Sequence, residues 1–252
     1  MSFKQWLFSS YSPNPHVDGA WGLFHILVLV GCVALIVGFY FLFRKQSYKS
    51  KRILLFVLAG LILLFELTRR SVNLIKMPEY TFHNVMRDLL PRPWCAISCW
   101  SIMFAVAINK KWAYNFASVS SILCAFIFFA YPGVGFNNKF ILFENLYSIA
   151  THSLFFIASV TFITLKFARF EFKNIWKEAI YYAVVLAYVF LIKDGLKIEG
   201  DPMYFMPGND VQEILGISYG LFLPLYIVFV LTFFASFYFV PWLKGRVKRK
   251  HN

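Results

Sequence analysis

Seven apolar runs, separated by short polar and charged stretches, set the pattern of this 252-residue chain. They span Gly19–Phe43, Ile53–Asn73, Trp94–Ile108, Ala113–Tyr131, Phe143–Phe167, Ile175–Ile192 and Leu215–Leu243. Most approach the ~20 apolar residues that a helix needs to cross a bilayer's hydrocarbon core. Lipid offers no water to satisfy backbone groups, so each run predicts a helix. The expected architecture is all-α: a polytopic membrane helical bundle of seven transmembrane helices, with residues 1–252 forming one integral membrane domain. A polar stretch, Ser9–Asp18, precedes the first run, which is long enough to stay as a span and not be cleaved as a leader. Before it, Met1–Tyr11 carries Phe3, Trp6, Leu7 and Phe8 and suits the membrane interface.

Composition points to the same solvent. Hydrophobic residues make up 60% of the chain, and the mean hydropathy of +0.63 excludes an ordinary soluble domain. The 31 Phe, 14 Tyr and 7 Trp suit a lipid-facing shell with aromatic belts. No internal repeat or soluble linker interrupts the pattern.

Charge adds an orientation. The net charge is +13, but the basic residues alternate between loops and do not form a nucleic-acid footprint. Arg44, Lys45, Lys49, Lys51 and Arg52 fill the first loop, and Lys110 and Lys111 the third. Lys166, Arg169, Lys173 and Lys177 fill the fifth, and Lys244, Arg246, Lys248, Arg249 and Lys250 the tail. The positive-inside rule makes these cytoplasmic, with the N-terminus outside and the C-terminus inside. The sixth loop, with Asp194, Glu199, Asp201, Asp210 and Glu213, is then external. The second loop breaks the rule with Arg69, Arg70, Lys76, Arg87 and Arg92. Those charges read either as a cradle for lipid phosphates or as tolerated interfacial charge.

Polar residues within spans are costly, and each is a functional hypothesis. His25, Glu66, Cys95, His152 and Asp201 all fall in the expected outer half. Each has a structural alternative. His25 reads also as an interhelical hydrogen-bonder, and Glu66 as a partner for Arg70 one turn later. Cys95 reads also as inert packing, and Asp201 as a turn former beside Pro202. His152 is a titratable ring in an apolar run and needs a partner. Cys32 and Cys124 lie inside apolar runs as small core residues. Cys95 and Cys99 share a helix face, but without a second pair or a nearby His they do not form a metal motif. A disulfide within that single helical turn would be strained. No metal or cofactor is expected.

A thiol and an imidazole on one membrane face suggest covalent catalysis, since a Cys needs a base to become a thiolate and a third group to orient that base. The hydrocarbon setting favours a lipid substrate. Its acyl chains would lie between helices while the ester reaches the polar layer.

Four segments carry a family resemblance: Phe24-His25, Leu90-Pro91-Arg92-Pro93-Trp94-Cys95, Tyr131-Pro132-Gly133 followed by Phe143-Glu144-Asn145-Leu146-Tyr147 and His152, and Asp201-Pro202-Met203-Tyr204-Phe205. They resemble the YwaF-like bacterial integral membrane proteins. The eukaryotic relatives of that family include a membrane acyltransferase that remodels ether phospholipids and, more distantly, the androgen-induced hydrolases of fatty-acid esters. Pro93 stands where the bacterial pattern usually has a histidine, and Asp201 where Asn is usual.

The resemblance implies Cys95 as the acyl-accepting nucleophile and His152 as its base, with His25 orienting the base or the ester. Glu66, Arg69, Arg70, Arg92, Asp201 and Tyr204 form the expected substrate-binding set. The expected protein is a multi-pass cell-membrane acyltransferase or lipid hydrolase acting on phospholipid acyl esters from the outer leaflet. Membrane phospholipids are its partners, a lysolipid or a lipoprotein is a candidate acyl acceptor, and no nucleic acid is involved. A non-catalytic lipid- or solute-binding protein, such as a transport component, and a structural subunit of a larger complex remain the alternatives.

Overall fold

The computed structural model describes residues 3–8, 21–91, 94–130, 135–136, 142–198, 212 and 215–250. Among them the chain is helical, without strands. The helices are α1 (Phe3–Phe8), α2 (Leu23–Phe43), α3 (Tyr48–Lys76), α4 (Phe82–Leu89), α5 (Trp94–Ile108), α6 (Lys111–Ala130), α7 (Phe143–Thr164), α8 (Ile175–Phe190) and α9 (Tyr219–Lys250). Every predicted apolar run coincides with one of them, to within a few residues at each end. α4 lies in the second polar loop, where the hydropathy pattern predicts nothing.

Five helical stretches are long and apolar enough to cross a membrane, or six if α4 and α5 count as one bent span. α3 has the length, with 29 residues, but carries Lys51, Arg52, Glu66, Arg69 and Arg70. α5 has the apolarity but only 15 residues, about 22 Å of helix at 1.5 Å per residue.

Packing divides the chain into two compact units. The first comprises residues 1–89 and 95–168. α6 lies at its centre and is buried over most of its length, with Ala113, Ala117, Ser118, Ser120, Ser121 and Ala125 among its buried positions. Small side chains let neighbouring backbones approach closely where no aqueous driving force exists. The Ser98 and Ser120 hydroxyls meet at 3.1 Å between α5 and α6. α2, by contrast, buries only His25 and Cys32 and exposes Leu, Val and Phe around the rest of its surface. That is the expected surface of a helix facing lipid.

Local chemistry sets the helix limits. Ser47 caps α3, its hydroxyl accepting from the Ser50 N–H at 3.2 Å. This carries the helix five residues ahead of the apolar run. At the other end of the bundle, Asn145 reaches back to accept the Leu142 N–H at 3.3 Å and starts α7. The α5–α6 turn uses Asn109 in the left-handed region (φ 54°), a conformation Asn tolerates. Asn109 Oδ1 also accepts from the Tyr48 hydroxyl at 2.9 Å. Nearby, Arg52 donates to the Val106 carbonyl (2.8 Å) and the Tyr114 hydroxyl (2.7 Å). α1 packs Trp6 edge-on against Phe143 at 5.6 Å.

The second unit comprises residues 90–94 and 169–252. A 3-10 turn (Phe172–Asn174) leads into α8, and a π-turn (Leu191–Gly195) ends it. Tyr182 packs edge-on against Phe234 of α9 at 4.7 Å and beside Trp94 at 5.5 Å. The fully buried Tyr238 of α9 donates its hydroxyl to Glu178 Oε1 of α8.

Candidate functional site

The polar centre of the first unit is built on one turn of α3. Glu66, Arg69 and Arg70 stand at i, i+3 and i+4, so all three share a face. The Glu66 carboxylate is fully buried. Arg70 Nε donates to its Oε1 at 2.7 Å, and Arg69 Nη2 to the same oxygen at 3.0 Å. Arg69 Nε reaches Oε2 at 3.3 Å. The fourth donor comes from α7, where the Tyr147 hydroxyl meets Oε2 at 2.9 Å. The Arg69 guanidinium also lies over the Tyr147 ring, 5.5 Å from its centroid. The pair that the Glu66–Arg70 spacing permits is therefore formed, within a larger network.

Arg70 has a second set of partners. Its Nη1 donates to the carbonyls of Asp88 (2.6 Å) and Leu89 at the end of α4. Helix C-terminal carbonyls carry partial negative charge, so they suit a guanidinium. The unpredicted helix α4 thus has a role: it presents those carbonyls to Arg70.

Cys95 opens the second turn's worth of this cluster from α5. It is a half-buried free thiol, and Cys32, Cys99 and Cys124 are free and buried. Cys95 interacts electrostatically with Arg69, Glu66 and Tyr147. A guanidinium within reach of this sulfur can stabilise an anion that forms next to it. Beyond Arg69, α3 and α7 enclose a cleft of about 160 Å³. Arg69, Asn73 and Lys76 line it from α3, and Phe143, Glu144, Tyr147 and Ser148 from α7.

The two candidate histidines stand elsewhere in the same unit, on a shared aromatic cluster. His152 of α7 lies flat on Phe128, with centroids 4.0 Å apart and planes 8° from parallel. Its Nδ1 is 2.7 Å from the Ser148 carbonyl. A carbonyl only accepts, so Nδ1 carries the proton and Nε2 keeps its lone pair. His25 is fully buried at the start of α2, against Phe136 at 4.4 Å and Trp21 at 4.9 Å. Its Nδ1 accepts the Trp21 backbone N–H at 3.3 Å, so Nε2 carries the proton. Phe128 joins the two sets, 5.9 Å from Phe136. Gly135 is required there, because a Cβ at that position would lie 2.4 Å from Phe128 Cζ.

The structure therefore brings Glu66, Arg69, Arg70 and Cys95 together and sets His25 and His152 around Phe128. Among the described residues, no hydrogen bond or charge interaction joins Cys95 to either histidine. Arg92, Asp201 and Tyr204 lie outside the described residues. Tyr147, Asn73, Lys76 and Ser148 were not singled out by the hydropathy pattern. Tyr147 lies within the Phe143–Tyr147 motif, and Lys76 continues the Arg69–Asn73 stripe at helical spacing. Among the described residues, no three His, Cys, Asp or Glu side chains cluster as metal ligands would.

Comparison with known proteins places the chain. Residues 20–241 match the model of the TMEM164 family. The chain belongs to the TMEM164 family, a family of transmembrane proteins. No curated protein and no solved structure matches it.

Proposed function

We propose that this member of the TMEM164 family is a multi-pass cell-membrane acyltransferase or lipid hydrolase that takes acyl groups from phospholipid esters at the outer leaflet. The observation that carries the reading is the setting of Cys95: a half-buried free thiol within electrostatic reach of a guanidinium that Glu66 and Tyr147 hold in place. The seven-span arrangement follows by adding α3 and the α4–α5 pair to the five uniformly apolar stretches. Glu66 neutralises one of the two guanidiniums it pairs with, which lowers the cost of placing α3 in lipid. The loop charges then set the N-terminus outside and the C-terminus inside.

In this reading the Cys95 sulfur attacks the ester carbonyl and its proton passes to Nε2 of His152. The anionic oxygen that forms is stabilised by Arg69. The carbon–oxygen bond to the glycerol backbone breaks, and the departing lysolipid oxygen takes the proton back from His152. A lysolipid, a lipoprotein amine or water then attacks the thioester and gives its proton to His152, and the carbon–sulfur bond breaks to restore the Cys95 thiol. Arg92, Asp201 and Tyr204 complete the substrate-binding set. The phenylalanines packed on His152 and His25 restrict water on the base's side, which favours transfer over hydrolysis.

Mass spectrometry of the purified protein after incubation with phospholipid tests this: an acyl adduct is expected on Cys95. Cys95→Ala and His152→Ala should each lower turnover, the latter by about 10²–10⁴-fold. Full turnover in Cys95→Ala would reassign the nucleophile to water assisted by His152. A second reading, phospholipid or solute binding without turnover, is favoured by one observation: among the described residues no hydrogen bond or charge interaction joins Cys95 to His152. A co-purified ligand that is never converted would establish it.

A further inference from the structure

We infer that the cleft between α3 and α7 is a phosphate-binding subsite, in which Arg69 and Lys76 hold a singly charged phosphodiester. The inference deepens the phospholipid reading above and rests on it for the nature of the ligand.

The argument begins with charge. The cleft and the network behind it contain Arg69, Arg70 and Lys76 against Glu66 and Glu144, so one positive charge is left without a fixed partner. The excess lies at a half-exposed cleft that an anion can enter. A phosphodiester carries one negative charge and completes the count.

Geometry then says which cation meets the ligand. Glu66 and the α4 carbonyls already occupy Arg70, which is almost fully buried. Arg69 is 22% exposed at its side chain and uses only Nε and Nη2 on Glu66. A guanidinium has five N–H donors, so Arg69, which lines the cleft, has donors that Glu66 does not engage. Glu66 and Tyr147 pin the fork in place, and a pinned fork recognises phosphate without a large loss of conformational freedom. Lys76 stands two turns further along the same face of α3. Asn73 lies between them, and Ser148 faces them from α7. The cleft thus offers two cations and two neutral hydrogen-bonding side chains to one oxyanion.

The test uses the purified full-length protein in an uncharged detergent. The probes are a short-chain dialkyl ether phosphatidylglycerol, the matching dialkylglycerol without phosphate, and inorganic phosphate. The ether lipid has no ester to turn over, so binding is read apart from chemistry. The phospholipid is expected to bind, and the dialkylglycerol to bind at least about tenfold more weakly, the worth of one charge-assisted hydrogen bond. Lys76→Gln and Arg69→Gln should each weaken the phospholipid about tenfold. Lys173→Gln, an equal change of charge on an exposed residue, should leave it unaltered.

Inorganic phosphate that competes as well as the lipid supports the subsite and names free phosphate as its source. Phosphate that fails to compete supports it with the lipid headgroup as the source. Equal affinity for the phospholipid and the dialkylglycerol overturns the proposal. So does unchanged affinity in Lys76→Gln, a variant at the cleft's half-exposed rim that spares the Glu66 network. Acyl transfer that persists with unchanged affinity in Lys76→Gln removes the subsite alone. Tight phospholipid binding with no acyl transfer removes only the acyl chemistry.

Discussion

Two buried carboxylates, one in each compact unit, meet their surroundings in opposite ways. Glu66 is met by four donor contacts, three of them from guanidiniums. Glu178 of α8 accepts from Tyr238 at one oxygen, and its other oxygen has no hydrogen-bond partner among the described residues. The first is an organising charge, with side chains from α3 and α7 and backbone from α4 arranged around it. The second is a single polar contact between two apolar helices. Burial alone therefore does not make a carboxylate an organising charge. The number and charge of the donors brought to it do.

Substitutions that break these contacts should separate the two sites. The largest loss is expected from Glu66→Gln, which leaves two guanidiniums facing each other without their counter-ion. Removing one partner of a buried ion pair costs about 3–5 kcal/mol. Thermal unfolding in detergent should show it, and an unchanged midpoint would mean that solvent or lipid compensates the arginines. Next comes Tyr238→Phe, which strips Glu178 of its donor and leaves a buried polar group unsatisfied, at about 1–3 kcal/mol.

Tyr147→Phe should cost less, about 1 kcal/mol, because three guanidinium contacts remain on Glu66. A loss in Tyr147→Phe greater than in Tyr238→Phe would show that the phenol positions Arg69 as well as Glu66. The smallest effect belongs to Glu178→Gln, because an amide carbonyl still accepts from Tyr238. Its unfolding should shift by less than about 1 kcal/mol. A large loss there would make Glu178 a second organising charge and end the contrast.

The helices were legible because lipid imposes one rule on every span, and apolar length expresses it directly. α4 was not. It is a polar, amphipathic segment whose helicity depends on its surroundings, and nothing in the loop's composition signals that its terminal carbonyls serve Arg70. Glu66–Arg70 could be read from helical spacing, as any contact within one helix can. Tyr147 could not, since it is 81 residues from Glu66 and only the packing of α7 on α3 brings them together. The same limit applies to the histidines. The hydropathy pattern puts His25 and His152 within apolar runs, but that leaves open which way each ring turns. The Trp21 N–H and the Ser148 carbonyl decide that, and both are local contacts fixed only once the backbone is in place.

The burial of α6 has a consequence for how the protein is made. A membrane chain emerges from the ribosome N-terminus first, and each span meets lipid before later spans exist. α2 is apolar around its whole circumference and can partition by itself. α6 cannot do so as freely, because Asn115, Ser118, Ser120 and Ser121 are shielded only in the assembled protein. α7 is synthesised after it, so the earliest shelter available is α5, through the Ser98–Ser120 contact and the tight Asn109 turn. α5 and α6 are thus a hairpin suited to enter the bilayer together, with the Ser98 and Ser120 hydroxyls meeting between them.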